Sequence, residues 1–306
     1  MKKESKGTIL AIMTALISGV SIVANKVFVV GMEPTLFTSL RSLLVGIIFF
    51  LLIYYRYNFR FSVFTKSMRK VNWKYMLAIA IIGGSAAFLL FFTGLKLTTA
   101  GKAAFIQKTL PIYVAVFAYW FLREKIPIKQ TYALIIMLLG SVLILGTEIS
   151  PSALWSSPML GDFLILGATI LWAAENTIAR KAMLNGETNM IVSFSRMFIG
   201  ALILFGVAGV MGHLGLLMTI TTQQAINILI STAILFGYVF CWYGCLSYIN
   251  VSKASMILLI SPVISLALGI SLLGEPAPLT QLIGSALILI GAYFVANIRS
   301  ELSTGV

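Results

Sequence analysis

The chain has 306 residues; 59% are hydrophobic, 10% are charged, and the formal net charge is +13. A soluble domain carries about 25% charged residues, and the mean hydropathy here is +1.01, so a water-soluble globule is excluded and lipid is the expected solvent. Nucleic acid is excluded as a partner too, because Lys and Arg sit mostly at the N-terminus and in short segments between apolar runs, the positive-inside pattern of a membrane protein.

A span needs about 20 apolar residues. Ten runs qualify, at about 7–30, 34–55, 75–95, 99–121, 128–147, 160–180, 189–211, 225–248, 253–274 and 278–298. Runs of this length must be helices, because each must satisfy its own backbone hydrogen bonds in lipid. Basic residues fall before span one (Lys2, Lys3, Lys6) and between spans two and three (Arg56, Arg60, Lys66, Arg69, Lys70, Lys74). They recur between spans four and five (Arg123, Lys125, Lys129), at the end of span six (Arg180, Lys181) and after span ten (Arg299). The alternate loops are poor in base, with Lys96 and Lys102 as exceptions. This alternation places both termini in the cytoplasm. The loop from Arg56 to Trp73 is too short to fold alone and reads as a solvated segment at the lipid headgroups. Cys241 and Cys245 are the only cysteines and read as small packing residues, with no disulfide framework or zinc spacing.

One segment occurs twice. Lys102, Pro111, Glu124, Pro127, Gln130 and Gly140 recur as Lys253, Pro262, Glu275, Pro278, Gln281 and Gly291, each at the same offset (253 − 102 = 151). The preceding spans correspond more weakly: Gly7 to Gly161 (161 − 7 = 154) and Arg41 to Arg196 (196 − 41 = 155). The chain therefore reads as residues 1–148, a first repeat; 149–158, an external linker; 159–299, a second repeat; and 300–306, a cytoplasmic tail. Five spans per half is an odd number, so the second half is expected upside down relative to the first, as in many secondary transporters.

These paired segments resemble the EamA branch of the drug/metabolite transporter superfamily. Each has a small-residue helix entry (Ala103, Ala104; Ala254, Ser255), a mid-helix Pro, a Glu closing that helix, and a Gly-bearing final helix. The resemblance covers nearly the whole chain. It implies an all-α integral membrane permease, ten transmembrane helices as two inverted five-helix repeats around a central cavity. It does not name a substrate.

Candidate functional residues follow from polarity inside the spans. Pro111 and Pro262 remove an amide donor, so the carbonyls of Gln107 and Leu258 lose their helical partners. The prolines are candidate hinges; the alternative is a packing kink closed by hydroxyls such as Thr109 and Ser261. Lys108 lies about 12 Å below the outer end of span four by helical rise. A lysine at that depth must reach water or a partner. With Gln107 it is a candidate contact for an anionic substrate group; the alternative is snorkelling to the interface. Its repeat counterpart is Leu259, so the fold does not demand it.

Glu175 and Asn176 interrupt span six, opposite Ser21 and Ile22 of the first half. Glu175 reads either as the ion-pair partner of Arg196 or as a carboxylate that binds a cation or titrates. Arg41, the counterpart of Arg196, is expected to pair with Glu33 or to meet substrate beside Lys108. Trp172, Tyr243 and Trp242 are candidates to wall an apolar cavity, and Asn25 and Lys26 to line its mouth. Glu124 and Glu275 read as helix-end stabilisers, and His213 as an external histidine without partners.

A membrane enzyme is disfavoured: one His, no carboxylate cluster and no metal spacing leave no catalytic set. No cofactor is expected. The reading is a carrier of a small-molecule substrate, small polar or amphipathic metabolites with amino acids first, exporting by alternating access, as a monomer or homodimer in the lipid bilayer. Protons are the candidate coupling ion, with facilitated diffusion and exchange still open. A multidrug efflux permease is one alternative; a channel or auxiliary membrane subunit is another.

Overall fold

The computed structural model describes residues 3–28, 31–98, 100–145, 160–274, 276 and 278–298. The expected linker at 149–158, the tail at 300–306 and Glu275 lie outside the described residues.

Among the described residues, ten helices are long and apolar enough to cross a membrane. They are span one (Lys3–Asn25), two (Pro34–Arg56), three (Trp73–Leu97), four (Lys102–Leu122) and five (Ile128–Leu145). In the second half come span six (Leu160–Leu184), seven (Asn189–Val210), eight (Thr222–Leu246), nine (Val251–Leu272) and ten (Leu279–Asn297). The protein is an all-α membrane protein, as the apolar run lengths require.

Local chemistry explains several boundaries. Glu33 caps span two by accepting from the Leu36 amide at 2.8 Å, with Pro34 in the first turn. Thr221 and Gln224 form a reciprocal capping box at the start of span eight. Gly274, at φ 64°, supplies the left-handed residue that ends span nine. The basic loop after span two departs from expectation: Phe61–Met68 forms a short helix, with no buried residue. Its Phe64 ring packs edge-on against Phe50, Tyr54 and Tyr57 around the end of span two.

Four spans are not uniform α-helix. Span four breaks between Ala100–Lys108 and Leu110–Leu122. Span nine breaks at the equivalent place, with a 3-10 turn at Leu258–Ile260. Spans three and seven each contain a π-helical segment, Ile82–Ala86 and Ser195–Ile199. Their repeat counterparts, spans eight and two, are continuous α-helices.

The packing maps onto itself when the halves are exchanged. Span one packs on spans eight and nine, and span six packs on spans three and four. Span two packs on span seven, and span five on span ten. Glycines set the close approaches, as expected where lipid offers no hydrophobic driving force between helices. A Cβ on Gly140 would lie 2.5 Å from the Gly284 carbonyl oxygen. A Cβ on Gly291 would lie 3.0 Å from the Ala133 carbonyl oxygen, and 2.3 Å from Met137. The two backbone approaches are one contact with the halves swapped, since 291 − 140 = 151 and 284 − 133 = 151. Gly7 and Gly161 behave likewise, each seating its helix against the end of spans eight and three respectively.

Two lysines at matched positions tie the halves together. Lys102 reaches Asp162 of the other half at 3.5 Å. Lys253 reaches Glu4 of the other half at 3.1 Å, and donates to the carbonyls of Ala296 and Ile298 at the end of span ten. Lys102 is thus a buried, paired cation, which explains why it departs from the basic-loop pattern.

Candidate functional site

The two helix breaks meet each other. Lys108 is the last residue before the break in span four, and its Nζ donates to the Ser261 hydroxyl at 3.1 Å. Ser261 is the first residue after the break in span nine. Each proline sits in the first turn of the helix that follows its break, Pro111 at Leu110–Leu122 and Pro262 at Ser261–Leu273. There its missing amide costs nothing, so the prolines restart helices rather than bend them internally. The alternative, closure of the Gln107 and Leu258 carbonyls by the Thr109 and Ser261 hydroxyls, is not what these two hydroxyls do. Thr109 donates to the Ile106 carbonyl at 2.6 Å, and Ser261 takes the Lys108 ammonium instead.

No carboxylate among the described residues lies within ion-pair distance of Lys108. Lys108 therefore does not snorkel out to an acidic partner; its charge is left for a hydroxyl between the two halves. Gln107 is half-buried beside it and makes no side-chain hydrogen bond among the described residues. The chemistry at this crossing is that of a single cation among neutral donors and acceptors, which suits an anionic group.

A second polar centre lies in span six. Glu175 is fully buried. Its Oε1 accepts from the Tyr243 hydroxyl at 2.6 Å, and its Oε2 lies 3.8 Å from Arg196 Nε. That second contact is an ion pair without a hydrogen bond: Glu175 Oε2 and Arg196 Nε both lack hydrogen-bond partners. The Arg196 guanidinium lies 5.8 Å from the Tyr243 ring centre. The pairing of Glu175 with Arg196 expected from depth along the helices is thus present, with Tyr243 as an unforeseen third member.

The π-helical segments shape this centre. The Glu175 side chain crosses the face of Gly83, where a Cβ would lie 2.2 Å from Glu175 Cγ. Gly84 abuts the Arg196 carbonyl, where a Cβ would lie 2.4 Å away. Trp172 donates to the Gly83 carbonyl at 3.3 Å. The run Gly83, Gly84, Ser85 in the middle of an apolar span was the available sequence signal for this close approach.

Other expected sites resolve differently. Trp172, Trp242 and Tyr243 are buried. Trp172 packs 5.4 Å from both Phe88 and Phe91. Trp242 donates to Asn176 at 2.9 Å, which holds Asn176 inside the helix interface. An apolar cleft of about 420 Å³ opens elsewhere, between Leu16, Ile17 and Val20 of span one and Ala233, Ile234 and Gly237 of span eight. Arg41 does not pair with Glu33. It donates to Ser231 at 3.3 Å, in a chain that continues through Asn25 to Ser21, and lies over the Phe37 ring. Glu33 is already engaged by its own helix cap, by Lys96 at 3.9 Å and by His213 at 3.7 Å. His213 therefore has a partner, contrary to expectation. Asn25 is tied into the Arg41 chain, and the side chain of Lys26 is outside what the structure describes.

Glu124 is the stabiliser its position suggests, but across the halves. It accepts from the amides of Val251 and Ser252, at 3.2 and 3.3 Å, and from the Ser252 hydroxyl at 2.8 Å, so it caps the start of span nine. Burial pushes its carboxyl above the ordinary carboxylate range, against the pull of the bonds from Ser252 and Val251 and of the Arg180 charge.

Comparison with known proteins bears directly on this architecture. The chain is 25% identical over 284 residues to the uncharacterized transporter YoaV of Bacillus subtilis, covering 92% of this chain and 94% of that one. It is 27% identical over 302 residues to an uncharacterized transporter of Archaeoglobus fulgidus, covering 96% and 100%. A protein of Escherichia coli named as a probable amino-acid metabolite efflux pump is 23% identical over 298 residues, covering 94% of each. One solved crystal structure, 14% identical, superimposes with a TM-score of 0.73 over 96% of this chain and 99% of its own, a likeness of fold alone. The EamA-like transporter family matches residues 5–146 and 159–297, so each half carries one copy and the chain belongs to that family.

Proposed function

We propose that the chain is a secondary carrier of the cytoplasmic membrane that exports small metabolites bearing a carboxylate, with amino acids and related compounds as the first class. The observation that carries this reading is Lys108: an ammonium at the junction of two broken helices, one from each half, with a hydroxyl and, among the described residues, no acidic side chain as its partner. Discontinuous helices at a repeat interface are where secondary transporters build their substrate sites. A substrate carboxylate would supply the missing counter-charge.

In this reading the halves are inverted repeats, supported by the odd number of spans in each and by packing that is unchanged when the halves are exchanged. The breaks in spans four and nine act as the flexing points for alternating access. Both termini face the cytoplasm, from the distribution of Lys and Arg in the loops. Export and the amino-acid class draw on the printed names of the Escherichia coli and Salmonella typhimurium relatives.

The test is counterflow in liposomes. Purified protein is loaded with unlabelled amino acids and given a labelled pool outside. A carrier shows transient, saturable accumulation of label. Linear, unsaturable flux would assign the chain to the channel class instead.

A further inference from the structure

We infer that Glu175 is the proton-coupling group of this carrier, with its side-chain carboxylate taking up and releasing one proton per transport cycle. The inference rests on the carrier reading above and adds what drives it. Three observations support it.

First, the ion pair is poorly built. A buried pair offsets its desolvation only with good geometry and satisfied hydrogen bonds. Here Glu175 Oε2 lies 3.8 Å from Arg196 Nε, and neither atom has a hydrogen bond. Only Oε1 is held, by Tyr243. A proton added at Oε2 therefore displaces no existing bond, and its loss restores the pair.

Second, the arginine does not need the acid. Arg41 occupies the matching position in the first half, where Ser21 and Ile22 stand in place of Glu175 and Asn176. Arg41 is held there by Ser231 and the face of Phe37, with no carboxylate in ion-pair contact among the described residues. The repeat thus keeps the cation without Glu175, so structural pairing does not account for the acid.

Third, the carboxylate sits where two π-helical segments touch. Such segments are single-turn irregularities found frequently at functional sites. Gly84 in one abuts the Arg196 carbonyl in the other, and Gly83 abuts the Glu175 side chain, so a change in the Glu175–Arg196 contact bears directly on both helices. Protonation converts a carboxylate and guanidinium pair into a neutral acid beside a lone cation, and that is a charge change of one at a tightly packed hinge.

The groups around Glu175 are few. Arg196 comes from span seven, and Tyr243 and Tyr238 from span eight. Span three meets it with Gly83, which carries no charge. On span four, Lys102 is held by Asp162 and Lys108 by Ser261, and Tyr113 packs in the apolar core. On span nine, Lys253 is held by Glu4. On span six itself, Arg180 donates to the Leu246 carbonyl. None of these last groups competes for Glu175.

The experiment has two arms on wild type and Glu175→Gln, whose amide oxygen can still accept from Tyr243. In the first arm, liposomes carry a pH difference of about one unit, and the labelled amino-acid pool is followed with the gradient in each polarity. One coupled proton supports up to about tenfold accumulation per pH unit. Wild type is expected to accumulate label with one polarity, and Glu175→Gln to equilibrate it without accumulation while keeping counterflow. Accumulation by both proteins, or by neither while both still show counterflow, overturns the proton role and leaves the carrier reading standing. A pool not moved at all overturns the carrier reading, and coupling with it. The second arm needs no substrate. Infrared difference spectra across a pH titration should show, in wild type, a protonated-carboxylic-acid carbonyl band that is missing from the bands left by the other carboxylates in Glu175→Gln. Identical spectra overturn the inference. Should Glu175→Gln fail to fold, Tyr243→Phe serves in its place: it removes the bond to Oε1 and is expected to move the midpoint of that band, and an unmoved midpoint counts against the assignment.

Discussion

Lys253 shows how one side chain can hold a membrane bundle together. It is buried, and it joins Glu4 of span one to the last carbonyls of span ten from its own place at the start of span nine. Those carbonyls have no helical donor of their own. Lys253→Ala should therefore destabilise the protein by about 2–4 kcal/mol, the scale for breaking a largely buried pair. Thermal unfolding in lipid–detergent micelles checks this, and an unchanged midpoint would contradict the latch. Glu124→Ala should cost about 1–3 kcal/mol, because two amides at the start of span nine lose their acceptor. The positions of both residues were legible from the 151-residue offset, but their partners were not. Glu4 and Asp162 do not share that offset (162 − 4 = 158), so no register argument pairs them. The pairing of Arg41 with Glu33, one of its two expected roles, does not form, for a related reason. Glu33 is close in sequence, but its oxygens are committed to the cap of its own helix and to Lys96 and His213.

Among elements, the ten spans were readable because hydropathy and length alone define them in lipid. The helix breaks at Lys108 and Leu258 were readable only through their prolines, and the sequence put the proline in mid-helix where the structure puts it at a restart. The π-helical segments left almost no trace, since one extra residue in a turn barely changes an apolar pattern. Their close contact makes a sharp prediction. Gly83→Ala places a methyl 2.2 Å from Glu175 Cγ, and should cost about 1–3 kcal/mol by overpacking. Gly206→Ala is the control, because a Cβ there meets nothing within 4 Å. It should be neutral or stabilise slightly, as alanine in a helix is favoured over glycine by about 0.5–1 kcal/mol. Equal stability losses for the two variants would mean that Gly83 is not the point of close approach.

For the whole molecule, the duplication carries the argument. Repeat positions that match in sequence meet matching partners in space, as Gly140 with Gly284 and Gly291 with Ala133 show. The two residues proposed to be functional are ones the halves do not share: Lys108 stands against Leu259, and Glu175 against Ser21. The central claim is that Lys108 receives a carboxylate at the crossing of spans four and nine. It is tested most directly by comparing, in the liposome assay, how well an amino acid and its carboxamide compete for transport of the labelled pool. Wild type should prefer the carboxylate by about tenfold or more, the scale of one charged hydrogen bond, and Lys108→Ala should lose that preference while still moving label. A preference that survives Lys108→Ala unchanged would contradict the account.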